Sequence, residues 1–564
     1  MLRNSKTILF YLTIACLFTP FLVDPQTYFP FIIAKATAFR LIVEAMLVVW
    51  VIERIRITQI GTQKKTQIAH RGSSTLVSPL MKAVLIFGII IFISALLGVD
   101  FNFSLFSGNE RMEGVFGIWH FILFFLIIAT TFNYLELQRI LKIQVGIGVL
   151  YSIIALFAYS GVGKITAQLT GDRLAGYTGN PSFFAAYLLF NAFLALYFYF
   201  RSQTSVGSST SHFNWWLPVF LGQSFLLFAT LTRGAMMGYL IGIIFIALSI
   251  VFLKSDFQGK LNFRKISIVF LISILALSVF IFAGKNTDFV KNNPILSRFS
   301  SISLTDPTAL SRFFSAGTAW KSFLQKPFFG WGPENYEAAY VKNFNPEVLK
   351  YLPEDFYFDR AHNKPMEVLA TTGIFGFLSY LSIFGIAFYF LNKFRRKKEW
   401  FLPSLALAGC LIGYFIQNIF IFDFHESYLM FFLVLAFVSS LSINVISMKM
   451  GIRDSRLRGN DNLRGNDNLR GNDNLRGNDN LRGNDNDPRF RGDKDYSLKM
   501  GKALLLVAVI CLVVFSASQW VIRPYSTSKG IFKVGYFIRQ EQSEKAYKEL
   551  KRIINNPAFL RDDI

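Results

Sequence analysis

Four polar residues precede a long apolar run in the stretch FDRAHNKPMEVLATTGIFG, residues 358 to 376. They are Asp359, Arg360, His362 and Asn363, followed by Glu367 inside the run. Polar groups beside a membrane-length apolar segment are costly unless they serve a function. Pro365 suits the first turn of a helix, which places His362 just ahead of a helix N-terminus, where the dipole disfavours imidazolium. A neutral imidazole can act as a general base, although His362 can also be interpreted as a helix cap.

A group of basic residues lies in or near segments predicted on the same side of the membrane as this stretch. It consists of Arg111, Arg173, Arg233, Arg298, Arg312, Arg360 and His362. Planar guanidinium groups suit bidentate binding of phosphate oxygens, so a pyrophosphate would account for the group. Snorkelling, or pairing with carboxylates such as Glu113 and Asp359, explains single members, but it explains the whole group less well.

Arg233 lies in the stretch LFATLTRGAMMGYLIG, where only Thr232 and Gly234 accompany it between two apolar runs. A charge at that depth is expected to face the protein interior and to bind an anion. The glycines and alanines that follow allow the next helix to approach its neighbours closely.

The elements that must position these residues are membrane-length helices. Of the 564 residues, 53% are hydrophobic and 16% are aromatic. About thirteen apolar runs have the length that spans a bilayer as a helix. They cover residues 7–23, 30–52, 80–99, 114–133, 140–160, 182–200, 214–231, 234–254, 265–284, 366–392, 402–422, 427–446 and 502–522. The sequence therefore predicts an all-α polytopic membrane protein with about 12–13 transmembrane helices.

The net charge of +23 follows the positive-inside rule and does not indicate a nucleic-acid partner. Basic residues cluster in alternate connecting segments, at residues 54–71, 254–265 and 393–398. These segments are expected in the cytoplasm, and the segments between them, which include His362, on the opposite side. All three cysteines, Cys16, Cys410 and Cys511, fall inside predicted spans, so no disulfide is expected.

The remaining histidines offer little support for a metal site. His70 and His212 lie in predicted cytoplasmic segments, and His120 lies inside a span, where it is expected to be a buried hydrogen-bonding residue. His425, in FDFHES, has Asp423 and Glu426 beside it, but adjacent positions do not easily converge on one ion. No metal or other cofactor is expected.

Changes in composition divide the chain into four parts. Residues 1–446 form a membrane-embedded core with one long extracytoplasmic loop, residues 285–365, of a length that is usually functional. Residues 447–501 form a cytoplasmic linker with LRGNDN repeats, whose six-residue period has no apolar face and differs from the nine-residue period of calcium-binding repeats. Residues 502–522 form an additional span. Residues 523–564 form an extracytoplasmic helical tail, either a single amphipathic helix or the start of a truncated helical repeat.

The long loop contains a predicted helix in the stretch TDPTALSRFFSAGTAWKSFLQKP. Asp306 is its expected N-cap, Pro307 occupies the first helical position, and Pro327 follows its end. Its apolar stripe is predicted to consist of Leu310, Phe313, Phe314 and Gly317, which directs Arg312 away from that stripe.

Four stretches carry a resemblance to a known family. They are RLAGYTGNPSFFAAYLL, TLTRGAMMG, SRFFSAGTAWKSFLQKPFFGWGPENY and DRAHNKPMEVLATTGIFGFLSYL. In this order, with the long loop after the ninth span, they resemble the O-antigen ligase family over roughly residues 80 to 445. The thirteenth span, the hexapeptide insertion and the tail depart from the twelve-span ligase pattern, so the acceptor stays open.

The resemblance implies a cytoplasmic-membrane enzyme of the glycosyltransferase C class. Such an enzyme moves a glycan from an undecaprenyl-pyrophosphate carrier to an acceptor hydroxyl, with inversion and without a metal ion or nucleotide sugar. The family's functional arginine of the TRG turn, arginine of the loop helix and histidine of HN match Arg233, Arg312 and His362. With Arg173 added to the pyrophosphate ligands, His362 is the expected base. The supporting residues are Asn363, Asp359, Arg360, Arg111 and Glu367.

Other functions stay open at this level. A polysaccharide polymerase and a protein O-oligosaccharyltransferase share the core motifs. A non-catalytic transporter of lipid-linked sugar would also need arginines for pyrophosphate, but it would be expected to show charge near mid-membrane and internal repeats, and no repeat of spans is visible. Lipid, glycan and protein acceptors are all compatible with the chain.

The charge distribution predicts that the 285–365 loop and the tail are extracytoplasmic, whereas the Leu457 repeat is cytoplasmic. Single cysteines placed in these segments and treated with a membrane-impermeant thiol reagent in intact cells test this topology. The loop and tail positions should be labelled and the repeat position protected. Labelling of the repeat would overturn the topology.

Overall fold

The computed structural model describes residues 2–63, 77–108, 110–160, 173–204, 214–253, 262–300, 307–351, 357–449 and 488–555. Regular structure in these residues is helical. The first ten helices are α1 (Leu2–Phe18), α2 (Ile33–Gln63), α3 (Pro79–Leu96), α4 (Phe101–Phe106), α5 (Val115–Thr131), α6 (Tyr134–Tyr159), α7 (Pro181–Thr204), α8 (Trp216–Ala229), α9 (Arg233–Phe252) and α10 (Phe263–Ala283). The next ten are α11 (Asp288–Asn292), α12 (Pro294–Ser300), α13 (Pro307–Gln325), α14 (Tyr336–Lys342), α15 (Lys364–Phe394), α16 (Phe401–Asn418), α17 (His425–Lys449), α18 (Pro488–Ser516), α19 (Arg523–Arg539) and α20 (Ser543–Asn555). The LRGNDN repeats, His70, His212, Asp306 and residues 556–564 lie outside the described residues.

Nine helices in the described part of the chain are long and apolar enough to cross a membrane. They are α3, α6, α7, α9, α10, α15, α16 with the turn before it, α17 and the segment Met500–Arg539. Shorter apolar helices occupy Ser5–Phe21, α5 and α8. Together with α2, these helices account for every predicted run, and the prediction of an all-α polytopic membrane protein is confirmed.

The bundle is organised around α7, whose apolar window is wholly buried, whereas only 6% of the window of α10 is buried. Next to α7, the helices α9 and α16 pack closely. A Cβ atom at Gly238 of α9 would lie 2.3 Å from the carbonyl oxygen of Gly413. Small residues therefore bring the two backbones together, as expected for the run that follows Arg233.

The helix α15 is broken at Gly373, where φ is 65° and ψ is −167°. Residues 327–332 of the preceding loop bond to the broken turn. The amides of Trp331 and Gly332 donate to the carbonyls of Ala370 and Thr371 (3.1 and 2.8 Å), and the Ile374 amide donates to the carbonyl of Pro327 (2.8 Å). The loop therefore satisfies backbone groups that the break releases, and it is held against α15.

The loop helix α13 begins at Pro307 and ends before Pro327, as expected. The predicted apolar stripe is wrong, because Phe313 and Gly317 are exposed. The buried face consists instead of the small residues Ser311, Ser315, Thr318, Ala319 and Ser322. The reason is the helix's close packing: Ser315 exchanges a hydrogen bond with the hydroxyl of Tyr336, and the Ser322 hydroxyl donates to the carbonyl of Ala339.

The chain after the bundle is helical wherever it is described. The helix α18 starts at Pro488 and runs through a π-helical turn, Ala517–Ile522, into α19. Asp24, in the segment between α1 and α2, accepts a hydrogen bond from Tyr525 (2.5 Å) and forms an ion pair with Lys529 (3.0 Å). The helix α20 packs against α19, with Ile553 close to Gly530. The described helices thus reach further into the predicted linker, residues 447–501, than the sequence indicated.

The close contact between the loop and Gly373, where α15 is broken, predicts that stability depends on this glycine. Gly373→Ala places a Cβ in the left-handed region, which costs about 1–2 kcal/mol in itself, and 2.3 Å from the Phe328 carbonyl carbon. We expect a clearly lower midpoint of thermal unfolding for the purified protein. Gly385→Ala, in the same helix with nothing within 4 Å of its Cβ, is the matched control and should be neutral or slightly stabilising. Equal melting of the two variants would show that the break does not need glycine.

Candidate active site

The start of α15 is capped by Asn363, whose Oδ1 accepts a hydrogen bond from the Met366 amide at 3.1 Å. Pro365 lies in the first turn, where its missing N–H is not needed. The interpretation of His362 as the cap of this helix is therefore wrong. His362 precedes the cap and is available for another role.

The imidazole of His362 is half-buried between two aromatic rings, with ring centroids 5.7 Å from Phe358 and 5.3 Å from Phe422. Its backbone has φ of 49°, the left-handed region that a non-glycine residue seldom adopts. Burial lowers the pKa of His362, and the positive charge of Arg312 lowers it further, while Asp359 and Glu367 oppose the shift. The ring is therefore neutral at physiological pH and able to accept a proton.

Arg360 is buried and binds carboxylates from three parts of the chain. Its Nη2 lies 2.6 Å from Glu334 and 3.7 Å from Glu113, and its Nη1 lies 3.2 Å from Glu367. Burial by itself would lower the pKa of Arg360. The nearby carboxylates, of which Glu334 has the largest effect, hold this pKa well above its usual range. Burial raises the pKa of Glu113 to about 8, although Arg360 opposes it. Lys364 adds a second cation, 3.0 Å from Glu367.

Glu334 belongs to the loop and also accepts a hydrogen bond from Ser107, just after α4. The next residue, Asn335, donates to the hydroxyl of Ser104 (2.8 Å) and to the carbonyl of Asp100 (3.1 Å). Both Ser107 and Glu334 have positive φ, as His362 does. Unusual backbone conformations thus cluster at one end of the bundle, as is common at functional sites.

Arg111 forms ion pairs with two carboxylates and stacks on an aromatic ring. It lies 2.8 Å from Asp359 and 3.0 Å from Glu110, and its guanidinium group lies 4.7 Å from the ring centroid of Phe422. Phe422 therefore contacts both Arg111 and His362. It lies in the segment between α16 and α17, where the carbonyl of Ile421 accepts a hydrogen bond from the Lys364 amide at 3.2 Å.

Arg173 and Arg233 meet at the turn between α8 and α9. Arg173 donates through Nε and Nη2 to the carbonyl of Thr230 (3.1 and 3.0 Å) and through Nη2 to the hydroxyl of Thr232 (2.9 Å). These bonds hold a turn in which Leu231 has φ of 55°. Arg233 is the first residue of α9, and a Cβ at Gly234 would lie 2.9 Å from Phe420. The start of α9 thus adjoins the segment that carries Phe422.

The arginines predicted as one group therefore have different surroundings. Arg111 and Arg360 are matched by carboxylates, so the ion-pair alternative accounts for both. Arg173 holds a turn beside Arg233. Arg312, half-buried on α13, acts electrostatically on His362, and Arg298 on α12 acts in the same way on Arg173.

The side chains of the FDFHES stretch enter three separate networks. Asp423 accepts hydrogen bonds from Tyr414, Asn418 and Ser427. His425 shares a hydrogen bond with Thr19 (2.8 Å), and Glu426 pairs with Lys35 (2.5 Å). The three groups do not converge on one point. His120, predicted as a buried hydrogen-bonding residue, donates to the carbonyl of Phe116 and lies 3.4 Å from Glu44.

Sequence reasoning missed Glu334, Phe422 and Lys364. Glu334 had a usable signal, because Gly330, Gly332 and Pro333 mark a tight turn, and Glu is not among the residue types that dominate turns. Phe422 had none, since it is one of 63 phenylalanines and lies in an apolar stretch.

Residues 218–381 match the family model described as O-antigen ligase. The resemblance to the O-antigen ligase family predicted from the sequence is confirmed over these residues. The match spans α8 to the middle of α15 and includes Arg233, Arg312 and His362, whereas Arg111, Arg173 and Phe422 lie outside it. No curated protein matches the chain. The match supports ligase-like or polymerase-like glycosyl transfer in general. His362 lies within the matched region, at the end of the bundle where the loop meets α15.

The surroundings of His362 predict how the activity should depend on pH when this residue is the base. Only the neutral ring accepts a proton, and its pKa lies below the usual 6.5, so kcat/KM should begin to fall only below pH 6.5. Asp359→Asn removes a carboxylate that raises this pKa, so the acid limb should move to still lower pH. Glu347→Gln, an exposed carboxylate of the same loop, should leave it in place. An acid limb above pH 6.5, or one that Asp359→Asn moves upward, would contradict the assignment.

Proposed function

We propose that this protein transfers a glycan from an undecaprenyl-pyrophosphate carrier to an acceptor hydroxyl on the outer face of the cytoplasmic membrane. The observation that carries the proposal is the state of His362: neutral, half-buried, not engaged as the helix cap, and under the influence of Arg312. The match of the family model over residues 218–381 supports the reaction class. The distribution of basic residues supports the outer face.

In the proposed reaction the imidazole of His362 takes the proton of the acceptor hydroxyl. The hydroxyl oxygen then forms a bond to the anomeric carbon of the first sugar, while the bond from that carbon to the pyrophosphate oxygen breaks. The bonding electrons leave with the pyrophosphate, whose growing charge is balanced by Arg233 and Arg312. A single displacement of this kind inverts the anomeric carbon. The proposal assigns no step to a metal ion or other cofactor.

The other residues predicted from the sequence position His362, Arg233 and Arg312. Arg173, proposed from the sequence as a pyrophosphate ligand, acts chiefly by holding the turn that ends at Arg233. Asp359 and Arg111 form an ion pair beside the His362 ring, and Asn363 fixes the helix start that follows it. Arg360 and Glu367 connect this helix to the loop.

The acceptor is best identified directly. Purified protein in lipid is incubated with lipid-linked glycan and with lipid A core, glycan-chain or protein acceptors in the presence of a chelator. Products are identified by mass spectrometry. A ligase, a polymerase and a protein O-oligosaccharyltransferase then differ in the acceptor that gains mass. A transporter gives no covalent product in any of these reactions.

The proposed roles predict different kinetic effects for the base and the arginines. His362→Asn should lower turnover about a hundredfold or more while donor affinity stays nearly intact, because a base acts in the transition state. Arg233→Ala and Arg312→Ala should weaken donor binding as well, since a charge-assisted hydrogen bond contributes about 1.5–3 kcal/mol. Binding of the donor and its turnover are measured separately by equilibrium binding and single-turnover kinetics.

The control is Arg395→Ala, at the opposite end of α15, where the half-buried side chain donates a hydrogen bond to Asn392 in the same helix. It should change neither quantity. Near wild-type turnover by His362→Asn would show that His362 is not the general base. Unchanged donor binding in both arginine variants would show that Arg233 and Arg312 do not bind the pyrophosphate of the donor.

A further inference from the structure

The loop helix α13 carries large apolar side chains on the face that points away from the protein. Phe313, Trp320 and Leu324 have the spacing of one helix face, and Phe328 follows just after the helix ends. Each of these four residues is between 49% and 62% exposed, whereas the face against the protein consists of small residues. Together they form the α13 stripe, an apolar surface of the kind that marks contact with a membrane or another partner.

The α13 stripe continues into the surface that the span α15 presents to lipid. The ring of Phe328 stacks on Phe375 of α15, with centroids 6.0 Å apart, and Phe375 is itself exposed. Leu378, one turn further along α15, is exposed as well. Because α15 is long and apolar enough to cross a membrane, its exposed apolar side chains face acyl chains. The stripe and the lipid-facing side of α15 therefore form one continuous apolar surface.

The break in α15 sets the depth of the stripe in the bilayer. Basic residues at positions 393–398 mark one end of the span. Counted back from that end, residues 375–394 form about 20 residues of helix, or about 30 Å, which is the thickness of the hydrocarbon core. Gly373 therefore lies at the opposite boundary between hydrocarbon and headgroups. The Ile374 amide donates to the carbonyl of Pro327 at 2.8 Å, so the end of α13 is held at that level.

The residue types of the stripe suit this boundary. Tryptophan is enriched at membrane interfaces. A helix that lies in the plane of the interface typically carries Trp, Phe and Leu on one face and lysine on the other side. Lys321 is exposed next to Trp320, where a long side chain can extend its amine towards lipid phosphates.

We propose that α13 is an interfacial helix, with the α13 stripe inserted among the phospholipid acyl chains of the leaflet beside the candidate site. The lipid contact does not depend on the proposed function. Arg312 adjoins Phe313 on this helix, so under that function the bilayer holds its guanidinium group at the level of the headgroups, where the pyrophosphate of a lipid-linked donor lies.

Collision with paramagnetic reagents measures the depth of the stripe in vesicles of phosphatidylcholine and phosphatidylglycerol. A nitroxide is attached to Phe313→Cys or Leu324→Cys in the full chain carrying Cys511→Ser, because the other two cysteines are buried. Oxygen concentrates in lipid and a nickel chelate stays in water, so the ratio of their effects on spin relaxation rises with depth. At both stripe positions this ratio should be several-fold higher than at Glu347→Cys, exposed on the same loop, and should approach that at Leu378→Cys on α15.

Trp320 is tested without a label by Trp320→Phe, which keeps an aromatic side chain. The difference between the emission of wild type and that of this variant isolates the fluorescence of Trp320. Lipids with brominated acyl chains should quench it, and iodide in the aqueous phase should leave it unchanged. Trp400→Phe removes a buried tryptophan and is the control, whose difference emission should respond less to the brominated lipids.

Three results would overturn the proposal. A stripe exposed to water would give the oxygen-to-nickel ratio of Glu347→Cys and quenching of Trp320 by iodide. A stripe covered by another protein would respond to neither paramagnetic reagent and to neither quencher. A stripe covered by a second copy of this chain would broaden the nitroxide spectra through spin–spin coupling. No donor or acceptor is present in these measurements, so failure of the proposed function appears separately, in the turnover of His362→Asn.

Discussion

The buried guanidinium group of Arg360 is the contact on which the rest of the site depends. It joins Glu113, ahead of α5, to Glu334 of the loop and to Glu367 of α15. Without it, the carboxylates of Glu334 and Glu367 would remain buried, and of these two Glu367 would keep Lys364 at 3.0 Å. Removing one partner of a buried ion pair is strongly destabilising, typically by about 3–5 kcal/mol, because the remaining charge is uncompensated. His362 follows Arg360 by two residues, so this cluster also fixes where the imidazole can lie.

The broken helix α15 and the glycine-rich loop form a second constraint, made entirely of backbone. Gly330 and Gly373 face each other closely enough that a Cβ on either would lie 2.3 Å from a carbonyl carbon of the other segment. The sequence predicted a helix start at Pro365 and a run to residue 392, and α15 spans Lys364–Phe394. It did not predict the break, because both glycines fit ordinary loop and membrane-helix roles when considered alone. Only their approach in three dimensions reveals the requirement for left-handed backbone at both positions.

The sequence predicted the helices well, but it predicted the contacts of the candidate site poorly. Apolar runs and proline positions determine helices locally, so the spans and the start of α13 were predictable. The burial pattern of α13 was not, because its neighbours are Tyr336 and the carbonyl of Ala339, which small residues suit better than the phenylalanines of the expected stripe. The arginines illustrate the same limit. Their residue type indicated anion binding, yet the partners of Arg111 and Arg360 are carboxylates that are brought close only by the folded loop.

Charged side chains are also buried on α2, inside the bundle, where they have partners on other helices as the charged groups of the site do. Lys35, Arg40 and Glu44 are buried within the first three turns of this helix, and so α2 is absent from the helices that qualify as spans by composition. Two of the three have side-chain partners on other helices, since Lys35 pairs with Glu426 of α17 and Glu44 lies 3.4 Å from Nε2 of His120 on α5. Glu44 also accepts a hydrogen bond from Ser516 of α18, so the additional helix contributes to the same network. The Nη2 of Arg40 donates to the carbonyl of Met112, and charge buried in a membrane bundle is expensive to leave unmatched. These contacts bring α2 together with α5, α17 and α18, so the charges that exclude α2 from the spans recognised by composition also fix its place in the bundle.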